Sequence, residues 1–163
     1  MIYVFLATGF EDIEALAPVD ILRRANLPVK TVSISNELMV YSAHGVGVLA
    51  DMLLEDVNFE QADMLVLPGG MPGSLNLDKC EPLRCAILNH YRAGKKLAAI
   101  CAAPMVYGHL GLLKGLCATC YPGMESHLEG ASYTGAIVEE DGQFITGKGP
   151  GAAFEFGYKL ASF

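Results

Sequence analysis

At 163 residues, with 52% hydrophobic and 18% charged side chains, the chain suits one packed domain and is too apolar for global disorder. A net charge of −7 argues against a nucleic-acid partner, which would want a basic face. Five cysteines, an odd count, suit a reducing cytoplasm better than a disulfide framework, and the first residues show no signal-peptide pattern.

Residues 2–7 (IYVFLA) read as a short buried strand stopped by Thr8 and Gly9. Residues 12–26 carry Ile13, Leu16, Ala17, Ile21 and Leu22 at helical spacing, with Arg23 and Arg24 where cations favour the helix end. A second strand is expected over 29–35, and a hairpin over 40–50 turning at His44 and Gly45, with Val46, Val48 and Leu49 as an apolar surface. Residues 64–67 form the next strand before Pro68-Gly69-Gly70, and a helix follows over 82–93. The uncharged stretch 97–113 contains Pro104, Gly108, His109 and Gly111, so it reads as strand 97–100 and helix 102–113, not a membrane span. A strand over 116–120, a hairpin about Asp141-Gly142 and a last helix starting near Pro150 complete the pattern. Alternating strands and helices imply an α/β fold, a mostly parallel sheet covered on both faces.

In such sheets the functional crevice lies beyond the carboxyl ends of the strands. Gly9, Gly69-Gly70 and Cys101 all fall at expected carboxyl ends. Cys101 sits between strand 97–100 and a helix opened by the small residues Ala102 and Ala103, as a nucleophile elbow requires. Helix-start amides there would favour a thiolate. A buried structural cysteine is the equal alternative on this local pattern. Glu14, at the margin of an apolar helix face, is either a dipole partner or a proton-transferring carboxyl. Gly69 and Gly70 either form a turn or offer amides to an oxyanion. Cys117 and Cys120 lack the second ligand pair of a zinc site, and no phosphate-binding glycine fingerprint is present, so no metal and no nucleotide cofactor are expected.

Taken in order, five runs resemble the ThiJ/PfpI superfamily, and within it the branch of DJ-one and bacterial YajL. They are Gly9 to Glu14, Pro18 to Ala25, Val66 to Gly70, Ala98 to Pro104, and Gly149-Pro150-Gly151 with Phe154-Glu155-Phe156. The resemblance implies a flavodoxin-like three-layer sandwich, commonly a homodimer, spanning residues 1–163 as one domain without the usual C-terminal extension. It carries the nucleophile onto Cys101, its protonated carboxyl partner onto Glu14, and oxyanion-side amides onto Gly69, Gly70 and Ala102. Where many members have a His-Pro near the thiol, this chain has Tyr121-Pro122; where protease-like members have histidine after the nucleophile, it has Ala102. A Cys–His dyad is therefore unsupported, and His127 has no spacing that recommends it. The implied activity is cofactor-free processing of a small reactive carbonyl, of glyoxalase or deglycase type, with a redox-sensing or chaperone-like stress protein as the alternative and a cysteine peptidase behind both.

Overall fold

The computed structural model describes residues 1–163. Its frame is a seven-stranded sheet in the order β10-β11-β7-β6-β1-β2-β5. The strands are β1 (Ile2–Leu6), β2 (Val29–Ser33), β5 (Met52–Leu53), β6 (Met64–Leu67), β7 (Lys96–Ile100), β10 (Val138–Asp141) and β11 (Phe144–Gly147). All pair in parallel except β10 with β11, which form the expected hairpin. The hairpin of β3 (Met39–Tyr41) and β4 (Gly47–Leu49) stands apart as its own two-stranded sheet.

Side chains alternate across the central strands with a period of two, so each apolar strand feeds two cores at once. Tyr3, Phe5, Leu65, Leu67, Leu97 and Ala99 enter one core. There they meet Leu77 of α2 (Gly73–Lys79), Leu83 and Ile87 of α3 (Glu81–Arg92), and Val106 and Tyr107 of α4 (Pro104–His109). Val4, Leu6, Val66, Ala98 and Ile100 enter the other core. They meet Ala15, Val19 and Leu22 of α1 (Asp12–Arg24) and Phe156 and Leu160 of α5 (Ala153–Ala161). The result is the expected three-layer α/β sandwich. No helix is long and apolar enough to cross a membrane.

Four expectations change. The helix after Cys101 runs only over Pro104–His109: Ala102 and Ala103 lie in the preceding turn, and Gly111 at φ +73° turns the chain soon after. Strand 116–120 shrinks to β8 (Cys117–Ala118), which pairs outside the main sheet with β9 (Ser132–Tyr133). Thr119 leaves that ladder because its N–H donates to Thr146 Oγ1 at 2.9 Å. Helix α2 was not expected: the sequence reading passed from Gly69-Gly70 to the helix over 82–93, and α2 fills part of that gap. In the hairpin, Val46 and Leu49 are exposed, but Val48 packs against the α1/α5 core.

Candidate active site

Chain order reverses between β1 and β6, and the site forms beyond their carboxyl ends. Gly9 leaves β1, Gly69-Gly70 leave β6, and Cys101 leaves β7. Cys101 has φ +66°, a left-handed backbone rare outside glycine, which costs on the order of 1–3 kcal/mol. Two hydrogen bonds hold it there. Its N–H donates to the Gly147 carbonyl at 2.9 Å, and its carbonyl accepts from the Tyr121 N–H at 2.8 Å. The strained turn leaves the residue 8% exposed in a pocket of about 370 Å³, walled by Gly70, Met71, Ala102, Tyr121 and Met124.

Glu14 comes from the first turn of α1 and is fully buried. The Gly69 N–H donates to its Oε2 at 2.9 Å, while Oε1 is buried without a hydrogen-bond partner. The Cys101 thiol adjoins this carboxyl. Gly69 makes that approach possible: a Cβ there would lie 2.5 Å from Cys101 Cβ, 2.8 Å from the Ile100 carbonyl, and against Glu14 Oε2. Glycine is required by space, not by dihedral.

Burial raises the Glu14 pKa to about 7, with a smaller push from Glu11; the thiol and the Gly69 amide pull the other way. Burial also pushes the Cys101 thiol up, and the Glu14 carboxylate pushes it further, against the amides of Gly70 and Ala102. Helix-start amides alone suggested a lowered thiol, so the burial and the carboxylate reverse that expectation. The pair therefore resists holding two negative charges. Glu14 gives up its proton near neutrality while the thiol keeps its own, and one proton moved from sulfur to carboxylate would leave a thiolate beside a neutral Glu14.

The fold brings Cys101, Glu14, Gly69, Gly70, Ala102 and Tyr121 together around one pocket. The Gly69 N–H is committed to Glu14, so the amides left facing the sulfur are those of Gly70 and Ala102. Tyr121 borders the pocket with its side chain half exposed. Met71, Met124 and the Gly147 carbonyl were missed, because only the order of strands brings them beside the thiol. No imidazole stands there. His44 bonds Asp12, His90 the Lys96 carbonyl, and His109 and His127 each other. Cys117 is exposed and Cys120 buried.

One group of potential metal ligands lies together: Glu11, Asp12 and His44, with one donor atom each within 4.8 Å. His44 Nδ1 lies 2.8 Å from Asp12 Oδ2 and 3.8 Å from Glu11 Oε2. The hydrogen bond that His44 donates to Asp12 and the charge of Glu11 raise the His44 pKa, so an ion pair accounts for the group without a cation.

Comparison with known proteins agrees with this fold. The family model described as "DJ-1/PfpI family" matches residues 1–162. Protein DJ-1 homolog B of Arabidopsis thaliana is 40% identical over 157 residues, covering 95% of this chain and 36% of that protein. The chain likewise spans 40% of the plant's homolog A. A protein of Caenorhabditis elegans named glutathione-independent glyoxalase DJR-1.2 is 32% identical over 151 residues, covering 92% of this chain and 80% of that one. The crystal structure of Drosophila melanogaster DJ-1beta superposes with a TM-score of 0.94 at 35% identity, covering 99% of this chain and 88% of that one. With its flavodoxin-like sandwich and a family match running from the first strand to the last helix, the chain belongs to the DJ-1/PfpI family.

Proposed function

We propose that the protein converts small reactive carbonyls, of which methylglyoxal is the simplest, into hydroxy acids by cofactor-free thiol chemistry, a glyoxalase or deglycase type of stress protection. One observation carries the reading: a strained, pocket-facing Cys101 beside a buried carboxyl that titrates near neutrality, with no imidazole at hand. The Cys101 thiolate attacks the aldehyde carbon, forming a C–S bond, and the alkoxide faces the amides of Gly70 and Ala102 while taking the Glu14 proton. Glu14, now a carboxylate, removes the proton from that carbon and returns it to the neighbouring ketone carbon, while the hydroxyl proton passes from the first oxygen to the second, leaving a thioester beside a new hydroxyl. One carbon is oxidised and the other reduced, so no external oxidant enters. Water then cleaves the thioester, releasing lactate and the thiolate.

The name of the nematode relative supports the same class of reaction. Five free cysteines support a reducing, cytoplasmic setting. Exposed Ile13 and Leu16 of α1, with Met39, Tyr41 and Leu49 of the hairpin, offer apolar area for a homodimer. Lactate formation from methylglyoxal without added thiol tests the reading. Wild-type protein is expected to turn over and Cys101→Ala to be inactive; equal rates would remove the proposal.

A redox-sensing role has one observation in its favour. The unpartnered Glu14 Oε1 and the amides of Gly70 and Ala102 are donors or acceptors suited to the oxygens of a sulfinic Cys101. Two oxygens gained at Cys101 under mild peroxide, in a protein that does not turn over methylglyoxal, would favour sensing. A cysteine peptidase would need an imidazole at the sulfur, and all four histidines are engaged elsewhere.

A further inference from the structure

A hydrogen-bonded chain of four side chains joins α2, α3, α4 and the 3₁₀ turn Glu125–His127. Arg84 Nη1 donates to Asp78 Oδ1 at 2.6 Å, and Asp78 Oδ2 lies 2.7 Å from His109 Nδ1. His109 Nε2 lies 3.0 Å from His127 Nδ1, the rings meeting edge to face at 5.1 Å. His109 closes α4, the helix that follows Cys101. His127 closes the single 3₁₀ turn Glu125–His127. That turn continues directly from Tyr121, Pro122, Gly123 and Met124, which wall the thiol pocket. Its backbone is also seated on α4, for a Cβ on Gly108 would run into the His127 carbonyl.

The proton inventory of this chain is restrictive. Asp78, paired with Arg84, accepts from His109 and so fixes the proton on Nδ1. With both rings neutral, His109 Nε2 is an acceptor and His127 must donate through Nδ1–H. One added proton leaves the bond intact: it enters at His127 Nε2, and the single proton between His127 Nδ1 and His109 Nε2 can then sit on either nitrogen. A second proton sets N–H against N–H and one cation against another, and no hydrogen bond is possible.

We infer that the His109–His127 pair is a proton-operated latch that positions the wall of the Cys101 pocket, closed with one added proton or none and released by the second. The latch belongs to the scaffold and holds whether or not the thiol turns over carbonyls. The charged groups around it are few. Asp78 faces it from α2, with Arg84 of α3 behind, and Glu81 stands 3.8 Å from Arg84. Glu125, on the same 3₁₀ turn as His127, spends both oxygens on the Gly123 N–H. Neither ring makes an ion pair or hydrogen bond with any other charged side chain.

Hydrogen exchange of peptides covering residues 119–128, read by mass spectrometry and corrected for intrinsic pH dependence, tests the latch on the full chain. Between about pH 7.5 and about pH 5 the wild type is expected to lose protection about tenfold or more. His127→Asn places an amide where Nδ1 stood, which donates or accepts as His109 requires, so its protection should not respond to pH. Because Glu14 titrates in the same range, Glu14→Gln serves as control and should keep the wild-type response. An identical response in wild type and His127→Asn, or none in the wild type, overturns the inference. Should His127→Asn not fold, imidazole NMR on the wild type decides. Two protonations separated about tenfold or more in affinity support the latch, and two independent, equal ones refute it.

Discussion

Glu14 surrenders its hydration for one amide hydrogen bond and a thiol neighbour, and its role rests on that imbalance. A carboxyl so placed keeps a proton near neutrality, whereas a solvated one would have lost it. If that proton is what reaches the alkoxide and then moves between carbons, Glu14→Gln removes the shuttle while preserving shape. Methylglyoxal turnover by Glu14→Gln should fall about 10²-fold or more with Cys101 still alkylatable, measured as lactate and as mass gain. Both residues were legible in the sequence because each sits in a local pattern, a strand-to-helix junction or the margin of a helix face. That Gly69 serves Glu14 was not legible, since the contact joins residues 55 apart in sequence and depends on where three chain segments cross.

Contiguous apolar runs gave β1, β6 and β7 nearly to the residue, because a strand buried on both faces has no other pattern. Short elements fared worse. Helix α2 hides behind Pro72-Gly73, and β8 loses Thr119 to a side-chain hydrogen bond with Thr146, a competition that composition does not display. The β3–β4 hairpin was visible, but which side chains it leaves exposed was not: Leu49 is 67% exposed while Val48 turns inward. Together with Ile13 and Leu16 of α1, that hairpin exposes the apolar area that the proposed homodimer would bury. Sedimentation at micromolar concentration is expected to give a dimer, and Leu49→Lys should shift it toward monomer. A wild-type monomer would contradict the pairing.

Across the whole molecule the buried carboxyl couples folding to pH. Its folded pKa, about 7, exceeds its ordinary 4.5, so the native state binds the proton more tightly than the unfolded chain. The resulting stabilisation is complete below about pH 4.5 and is lost as pH rises through 7, a change of about 3 kcal/mol. Urea midpoints measured from pH 5 to pH 8 should fall more steeply for wild type than for Glu14→Gln; parallel curves would mean that the carboxyl is not perturbed. The measurement that bears most directly on the site itself is the pH dependence of iodoacetamide alkylation at Cys101, read on the peptide that contains it. A sulfur that is bare only while Glu14 holds the shared proton predicts an inflection near pH 7, where the pair gives up its first proton. An inflection at the free-cysteine value of about 8.5, or no alkylation at all, would contradict it.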